Sequence, residues 1–423
     1  MFRKLVSFDE AKRIISNNVK TEPLGLEEVR LLDACGRVLG VDAVSGLNVP
    51  PFDRSAVDGY AVVAEQTFEA DESKPVTLQI CGCVNIGELP LVCVEPCTAA
   101  EIVTGAPIPD GADAVVMVED TEKKDGVVQI FSTVARGENV MRAGSDIKSG
   151  SRVLLKGTLL GAREIGVLAA IGLAKVRVYI QPRVAVLSTG GEVAEPGEKL
   201  AVGKIYDINA YSLCAAVLEC GGNPVYLGVV PDDRAKLESS LRRGLSIADV
   251  VVTSGGVSVG PKDVMPQTVD SLGPPGVVVS GVAIKPGKPV TVAVVGGKPV
   301  FCFPGHPTSA LLVFHLLARP IIGDLAGRRV GENPVVSAVA GVRLFPARGR
   351  RTFVMVKLKK NESRKLVATP LETGQSGAIT TLANSDGFVE IDENQQFVDA
   401  GEEINVHLFK NACWANHFHK CIA

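Results

Sequence analysis

The feature that most limits the fold is the stretch from Arg183 to Ile322, where short apolar runs alternate regularly with helix-permissive segments. Apolar runs at 184–187, 224–230 and 250–252 each lead into a turn rich in Gly, Pro or Asp and then into a helical segment (210–219, 234–245, and a charged segment from Lys262 to Leu272). Continuous apolar strands joined by helices make a parallel, doubly wound sheet, and such sheets bind ligands where the carboxyl ends of their strands meet. A further strand is expected over 277–284, then a hairpin of 290–295 and 299–303. A long apolar helix to about Ile322 follows, capped by Thr308 or Ser309, and Asn209 is expected to cap the helix that starts at Ala210.

The strand ends carry the chemistry. In ADVVVTSGGVSVGPKDV (248–264), Ser254-Gly255-Gly256, Ser258 and Gly260 lie between a buried strand and a helix start. Glycines let backbone N–H groups approach a ligand, and a helix N-terminus adds partial positive charge, which suits a phosphate or another oxyanion. An ordinary tight strand-to-helix turn has the same composition. Asp263 beside such an anion calls for a divalent cation between them, with Mg²⁺ the first choice for oxygen ligands. Glu192 and Asp232 end two other strands, Asp232 being equally suited to cap the next helix. Lys285 and Lys288 sit on a Pro/Gly scaffold that would hold an oxyanion, and Pro304-Gly305-His306-Pro307 closes the set. His306 is either chemistry or part of a turn.

The 423 residues suffice for roughly three domains, each able to bury its own core. A net charge of -3 with both signs scattered argues against a nucleic-acid partner or a membrane-binding face. The first residues lack a signal-peptide core and no apolar run approaches a spanning helix, so the expectation is a cytoplasmic protein. Cys81, Cys83, Cys93 and Cys97, in strand-like text, and the tail Cys413, His417, His419 and Cys421 are weak zinc patterns; a small hydrophobe and a flexible end explain them as well.

Before the alternation, Ser7 and Glu10 form a capping box for a helix over 7–19, and a short helix is expected over 27–32. PPFDRSAVDGYAV (50–62) is a rigid charged turn that also reads as a solvated one; Asp58 lies in it, and Thr104 ends one of several short strands between about 75 and 129. After 333, strands in VVSAVAGV, TFVMVKL, KLVATPL, GFVEI and INVHLF suggest a small all-β domain, with a long polar loop over 372–386 carrying Ser376.

Six motifs follow one another in order: PPFDRSAVDGYAV, TGAPIPDGADAVV, AVLSTGGEV, TSGGVSVGPKD, IKPGKP and PGHPTSA. Together they resemble the molybdopterin molybdenumtransferase family, MoeA and the E domain of gephyrin, over about residues 5–410. The resemblance implies a multidomain α/β fold: a split N-terminal α+β domain (1–48 and 143–179) with a β-rich insert (49–142), a MogA-like doubly wound parallel-sheet domain (180–327), a C-terminal small β-barrel (333–410) and a tail (411–423). It implies insertion of molybdate or tungstate into adenylylated molybdopterin with release of AMP. A divalent cation on Glu192 and Asp263 and an elongated homodimer are also implied, with the cleft between the doubly wound domain of one subunit and parts of the other. Asp58, Thr104, Glu192, Asp232 and Asp263 match its functional residues, Asp146 its glycine-acid-isoleucine turn, and Pro304, Gly305 and Pro307 its PGxP loop. Lys285, Lys288, Arg350 and Ser376 match positions that hold molybdate. This sequence departs from the family in having Gly191 after Thr-Gly, His306, and the Cys/His-rich tail. The rival readings are a molybdopterin adenylyltransferase, which is also the possible upstream partner, and a non-catalytic, gephyrin-like scaffold.

Overall fold

A computed structural model describes residues 5–257, 264–328, 334–371 and 379–409. The predicted residues Ser258, Asp263 and Ser376 and the Cys/His-rich tail lie outside the described residues. The chain divides into two compact units: one holds residues 28–35 and 39–177, the other the flanking N-terminal segment, residues 36–38 and everything from Val178 onward.

In the first unit a six-stranded sheet runs in the order Ala114–Met117, Gly59–Val62, Thr98–Ile102, Val76–Val84, Val127–Ile130, Thr121–Lys124. It packs Tyr60, Val62, Leu78, Val116, Val128 and Ile130 on one face and Val84, Ala100, Ile102 and Val115 on the other, as alternation in a half-buried strand requires. The chain before and after this insert pairs with itself, Ala43–Val44 antiparallel to Arg152–Leu154, so the N-terminal domain is split around the insert. The helix expected over 27–32 is instead the strand Leu26–Arg30 and a 3₁₀ turn, Leu31–Asp33. The Leu31 N–H donates to the Ala174 carbonyl, and this long-range bond overrides a weak local helical preference.

The second unit is organised around a six-stranded sheet. In chain order its strands are β1 (Arg183–Thr189), β2 (Asn223–Val230), β3 (Val250–Ser254), β4 (Pro275–Ser280), β5 (Thr291–Val295) and β6 (Lys298–Phe303), arranged β2-β1-β3-β6-β5-β4. The first four in that order are parallel, and only β5, the return strand of the hairpin, runs antiparallel to its neighbours. Helices Asn209–Glu219 and Pro307–Val313 cover one face, and Arg234–Ile247 and Met265–Asp270 the other. Val250, Val251 and Val252 are all fully buried, because both faces of the strand are covered.

Four boundaries differ from expectation. The strand expected over 277–284 is two strands, β4 and Ile284–Lys285, and the second joins a different sheet. The long helix starts at Pro307 with His306 as a backbone N-cap, because proline at the first helical position needs neither Thr308 nor Ser309 as a cap. It passes through a π turn, Phe314–Ala318, ahead of Pro320, whose missing N–H interrupts the regular ladder. The whole stretch Pro307–Leu325 is long and apolar enough to cross a bilayer, yet 67% of it is buried inside the molecule, which accounts for its composition. Finally, the polar loop near Ser376 contains a helix, Ile379–Asn384.

The C-terminal region is a closed five-stranded barrel. Strands Arg351–Lys360, Leu366–Pro370, Val335–Ala340, Glu403–Leu408 and Gly387–Ile391 pair in that order, and the last pairs back to the first. The expected N-terminal helix is Phe8–Asn18, with Ser7 accepting the Glu10 N–H at 3.2 Å. Its Phe8 packs edge-on to Phe353 of the barrel at 5.5 Å between ring centres.

Candidate active site

The loops after β1, β3 and β6 are built to sit against one another. A Cβ on Gly255 (φ +100°) would stand 2.4 Å from the Thr189 carbonyl oxygen and 2.7 Å from its hydroxyl, so only glycine lets the loop after β3 lie on the end of β1. Gly255 N–H donates to the Phe303 carbonyl at 3.0 Å. Its Cα lies 3.9 Å from where a Cβ on Gly305 would be, which brings the Ser254-Gly255-Gly256 turn against the Pro304-Gly305-His306-Pro307 turn. Asp232 belongs to the same rim: its Oδ1 lies 3.7 Å from the Cβ position of Gly256. The capping role that sequence allowed for Asp232 falls to its neighbour Asp233, whose carboxylate accepts the Lys236 N–H at 2.9 Å.

Glu192 folds back over Gly190, its Oε2 being 2.7 Å from the Cβ position there. The Ile205 N–H donates to the Glu192 carbonyl at 2.9 Å, and the short ladder of Val193–Ala194 with Ile205–Tyr206 anchors the backbone beside it. The carboxylate itself is exposed and makes no ion pair among the described residues. Lys285 is exposed and Lys288 half-buried. Their loop is pressed onto the Pro307–Val313 helix at Gly287, where a Cβ would lie 2.3 Å from Val313 Cγ2. Ile284–Lys285 pairs in parallel with the barrel strand, Ile284 opposite Arg351 and Lys285 opposite Thr352. The barrel residue Arg350 is thereby brought beside the lysine loop, a juxtaposition no local motif contains.

In the other unit Asp58 and Thr104 are joined: the Asp58 carboxylate accepts the Thr104 N–H at 2.6 Å and its hydroxyl at 2.9 Å. Those bonds, the backbone N–H first, hold the Asp58 carboxyl below the usual carboxylate range. Asp146 is exposed in a turn whose N–H donates to the Val49 carbonyl at 3.0 Å.

Sequence reasoning missed a buried polar cluster under the rim. Asp207, 4% exposed, accepts the Ser188 hydroxyl at 2.9 Å and the Ala210 N–H at 3.0 Å through one oxygen. Tyr226 donates to Glu195 at 2.5 Å and lies 3.4 Å from the other Asp207 oxygen; burial, then the Glu195 bond, raises its phenol. Asp207 and not Asn209 therefore caps the helix that follows, and Asn209 donates to Ser254 Oγ and to the Gly305 carbonyl, each at 2.7 Å. An Asp two residues before the expected cap, at the right offset to accept the Ala210 N–H, was the available signal.

Among the described residues no group of three or more His, Cys, Asp or Glu side chains is placed to hold a metal ion, the Cys81, Cys83, Cys93 and Cys97 set included. Those cysteines are free thiols. Cys302, at the end of β6, is fully buried, and burial pushes its thiol up to about 12, so it stays protonated.

Residues 6–172 match the MoeA N-terminal region (domain I and II), 185–324 a probable molybdopterin binding domain, and 337–409 the MoeA C-terminal region (domain IV). The chain is 36% identical over 405 residues to molybdopterin molybdenumtransferase 2 of Mycobacterium tuberculosis, covering 95% of this chain and 98% of that protein. It is 32% identical over 412 residues to the molybdopterin molybdenumtransferase of Bacillus subtilis, covering 96% and 95%. A molybdopterin biosynthesis MoeA protein from Pyrococcus horikoshii has the same fold, with a TM-score of 0.80 and 41% identity over 96% of this chain and 100% of that one. Fold and rim thus define a multidomain α/β protein built around a molybdopterin-binding domain. The chain belongs to the MoeA family, the molybdopterin molybdenumtransferases, enzymes of molybdenum cofactor biosynthesis.

Proposed function

We propose that this chain inserts molybdate into adenylylated molybdopterin and releases AMP. The observation that carries the reading is the junction of the Ser254-Gly255-Gly256 and Pro304-Gly305-His306-Pro307 turns, beside a lysine loop that a barrel strand holds next to Arg350. Backbone N–H groups of a glycine turn suit phosphate oxygens, and Lys285, Lys288 and Arg350 suit a tetrahedral dianion, with Ser376 as a further donor. Asp58 and Thr104 are read as catalytic residues and Asp146 as a substrate-binding residue, all three of the other unit. On this reading the domains meet at residues 48, 142, 179 and 327.

Glu192 and Asp263 would hold a divalent cation. Glu192 fits the task, since its carboxylate is exposed and makes no ion pair among the described residues, and Mg²⁺ takes one or two carboxylates together with substrate phosphates. When bound, such a cation withdraws charge from the phosphoanhydride. The chain's own residues hold the two phosphates on the glycine turn and bring molybdate to the dithiolate. A molybdate or water oxygen attacks phosphorus, the anhydride P–O bond breaks and AMP leaves; two Mo–S bonds form as Mo–O bonds break, and oxygen not passed to phosphorus leaves as water with the protons of the two thiols. A homodimer, a cytoplasmic setting and a molybdopterin adenylyltransferase as the upstream supplier belong to the same reading.

The test is AMP release from adenylylated molybdopterin with Mg²⁺ or a chelator, and with molybdate, tungstate or neither. Release that needs both the cation and an oxyanion is expected, and Asp263→Asn should lower it about a hundredfold or more, as removal of a group acting on developing charge does. Binding of the pterin with no release under any condition would instead favour a scaffold.

A further inference from the structure

We propose that Asn209 is a positioning residue that holds the two ligand-facing turns together, and this rests on the reading above. Its Nδ2 donates at 2.7 Å to Ser254 Oγ and at 2.7 Å to the Gly305 carbonyl. Ser254 in turn donates to the Pro304 carbonyl at 3.2 Å. One amide group therefore ties the end of β3 to the turn after β6. Ser254, 2% exposed, is held in place because β3 and β6 are paired up to Ser254 and Phe303.

The orientation of the amide is fixed by chemistry. Turned the other way it would present an oxygen to the Gly305 carbonyl oxygen, so the NH₂ must face the loops. The consequence is that Oδ1 is buried with no hydrogen-bond partner among the described residues. Packing alone gives no reason to keep an unsatisfied acceptor, whereas a donor committed to two loops does. Asp207 supplies the precision: by taking the Ala210 N–H and the Ser188 hydroxyl, it caps the helix in place of Asn209 and fixes that helix's first turn to the end of β1. Asn209 is thus freed from capping and aimed across the rim. All three strand-end loops are referenced to one another through Asp207, Asn209 and Ser254.

The test uses the full chain with Asn209→Ala, Ser254→Ala and the double variant. Displacing a loop that orients substrate by a fraction of an ångström costs on the order of tenfold to a hundredfold. Asn209→Ala is expected to lower kcat/KM for adenylylated molybdopterin about tenfold or more while the melting temperature moves by less than about 3 °C. Because the two residues share one bond, the double variant should lose little beyond either single one. Independently of turnover, hydrogen exchange at the Gly255 and Gly305 amides should quicken in each variant, and equilibrium dialysis should find molybdopterin bound about tenfold more weakly. Kinetics and exchange within twofold of the unsubstituted protein would overturn the proposal, as would losses that multiply in the double variant. If Asn209→Ala does not fold, Asn209→Ser, whose shorter side chain cannot reach both turns, takes its place with the same expected losses and the same overturning result. Absence of AMP release from the unsubstituted protein would count against the function, while faster exchange and weaker binding in the variants would still uphold the clamp.

Discussion

Gly255 concentrates the site's steric demand in one residue. Its φ of +100° is disfavoured for any side chain, and a methyl group there would meet the Thr189 carbonyl, part of a paired strand that cannot retreat. Gly255→Ala is therefore expected to destabilise the domain by about 1–3 kcal/mol and to reduce AMP release more than stability explains, because the turn must swing out to relieve the clash. Activity of refolded Gly255→Ala equal to that of the unsubstituted protein at a temperature where both are folded would remove that argument. Gly305 is a useful contrast. Its nearest neighbour at the Cβ position is 3.9 Å away, an ordinary contact, so Gly305→Ala should fold with little cost.

At the scale of elements, the first turn of the Asn209–Glu219 helix carries more than its sequence suggests. Asp207→Ala would strand the buried Ser188 hydroxyl and the Ala210 N–H together, an expected loss of about 2–3 kcal/mol in the unfolding transition of this domain. Asp207→Asn keeps the single oxygen that accepts both and should cost less than half of that; equal costs in urea unfolding would mean that the charge, and not the bonds, is what matters. This turn also marks where sequence reading stopped. Strand–helix alternation made the doubly wound sheet legible and short alternating strands the C-terminal β domain, since both follow from hydrophobic period and turn chemistry, while the split N-terminal domain came only with the family resemblance. What escaped was decided at long range: whether Asn209 caps its helix or reaches Gly305 depends on where β6 ends, and Ile284–Lys285 is a strand only because the barrel offers it Arg351 and Thr352. Arg350 had the weakest local signal for the same reason.

On the scale of the whole molecule, the larger unit is knitted across its domains by polar and aromatic groups. Arg351, with its side chain 13% exposed, pairs with Glu390, Asp392 and Glu393 of the barrel and with Asp9 of the N-terminal helix, at 3.0–3.3 Å. His315, in the π turn of the long helix, lies 5.5 Å ring to ring from Phe409 at the end of the barrel. Its Nδ1 is buried with no hydrogen-bond partner among the described residues, and burial, helped by the charge of Arg319, lowers the imidazole from 6.5 to about 4. The folded chain thus binds that proton less readily than the unfolded chain does. Stability from the neutral imidazole is present above pH 6.5 and is lost as pH falls from 6.5 to about 4. The loss is bounded at about 3 kcal/mol and should be smaller, because the residue keeps partial contact with solvent. His315→Phe preserves the ring contacts and removes the titration, so the difference in melting temperature between the two proteins should widen steadily from pH 7 to pH 4. A constant difference across that range would mean that His315 is already hydrated and that the long helix and the barrel do not close over it.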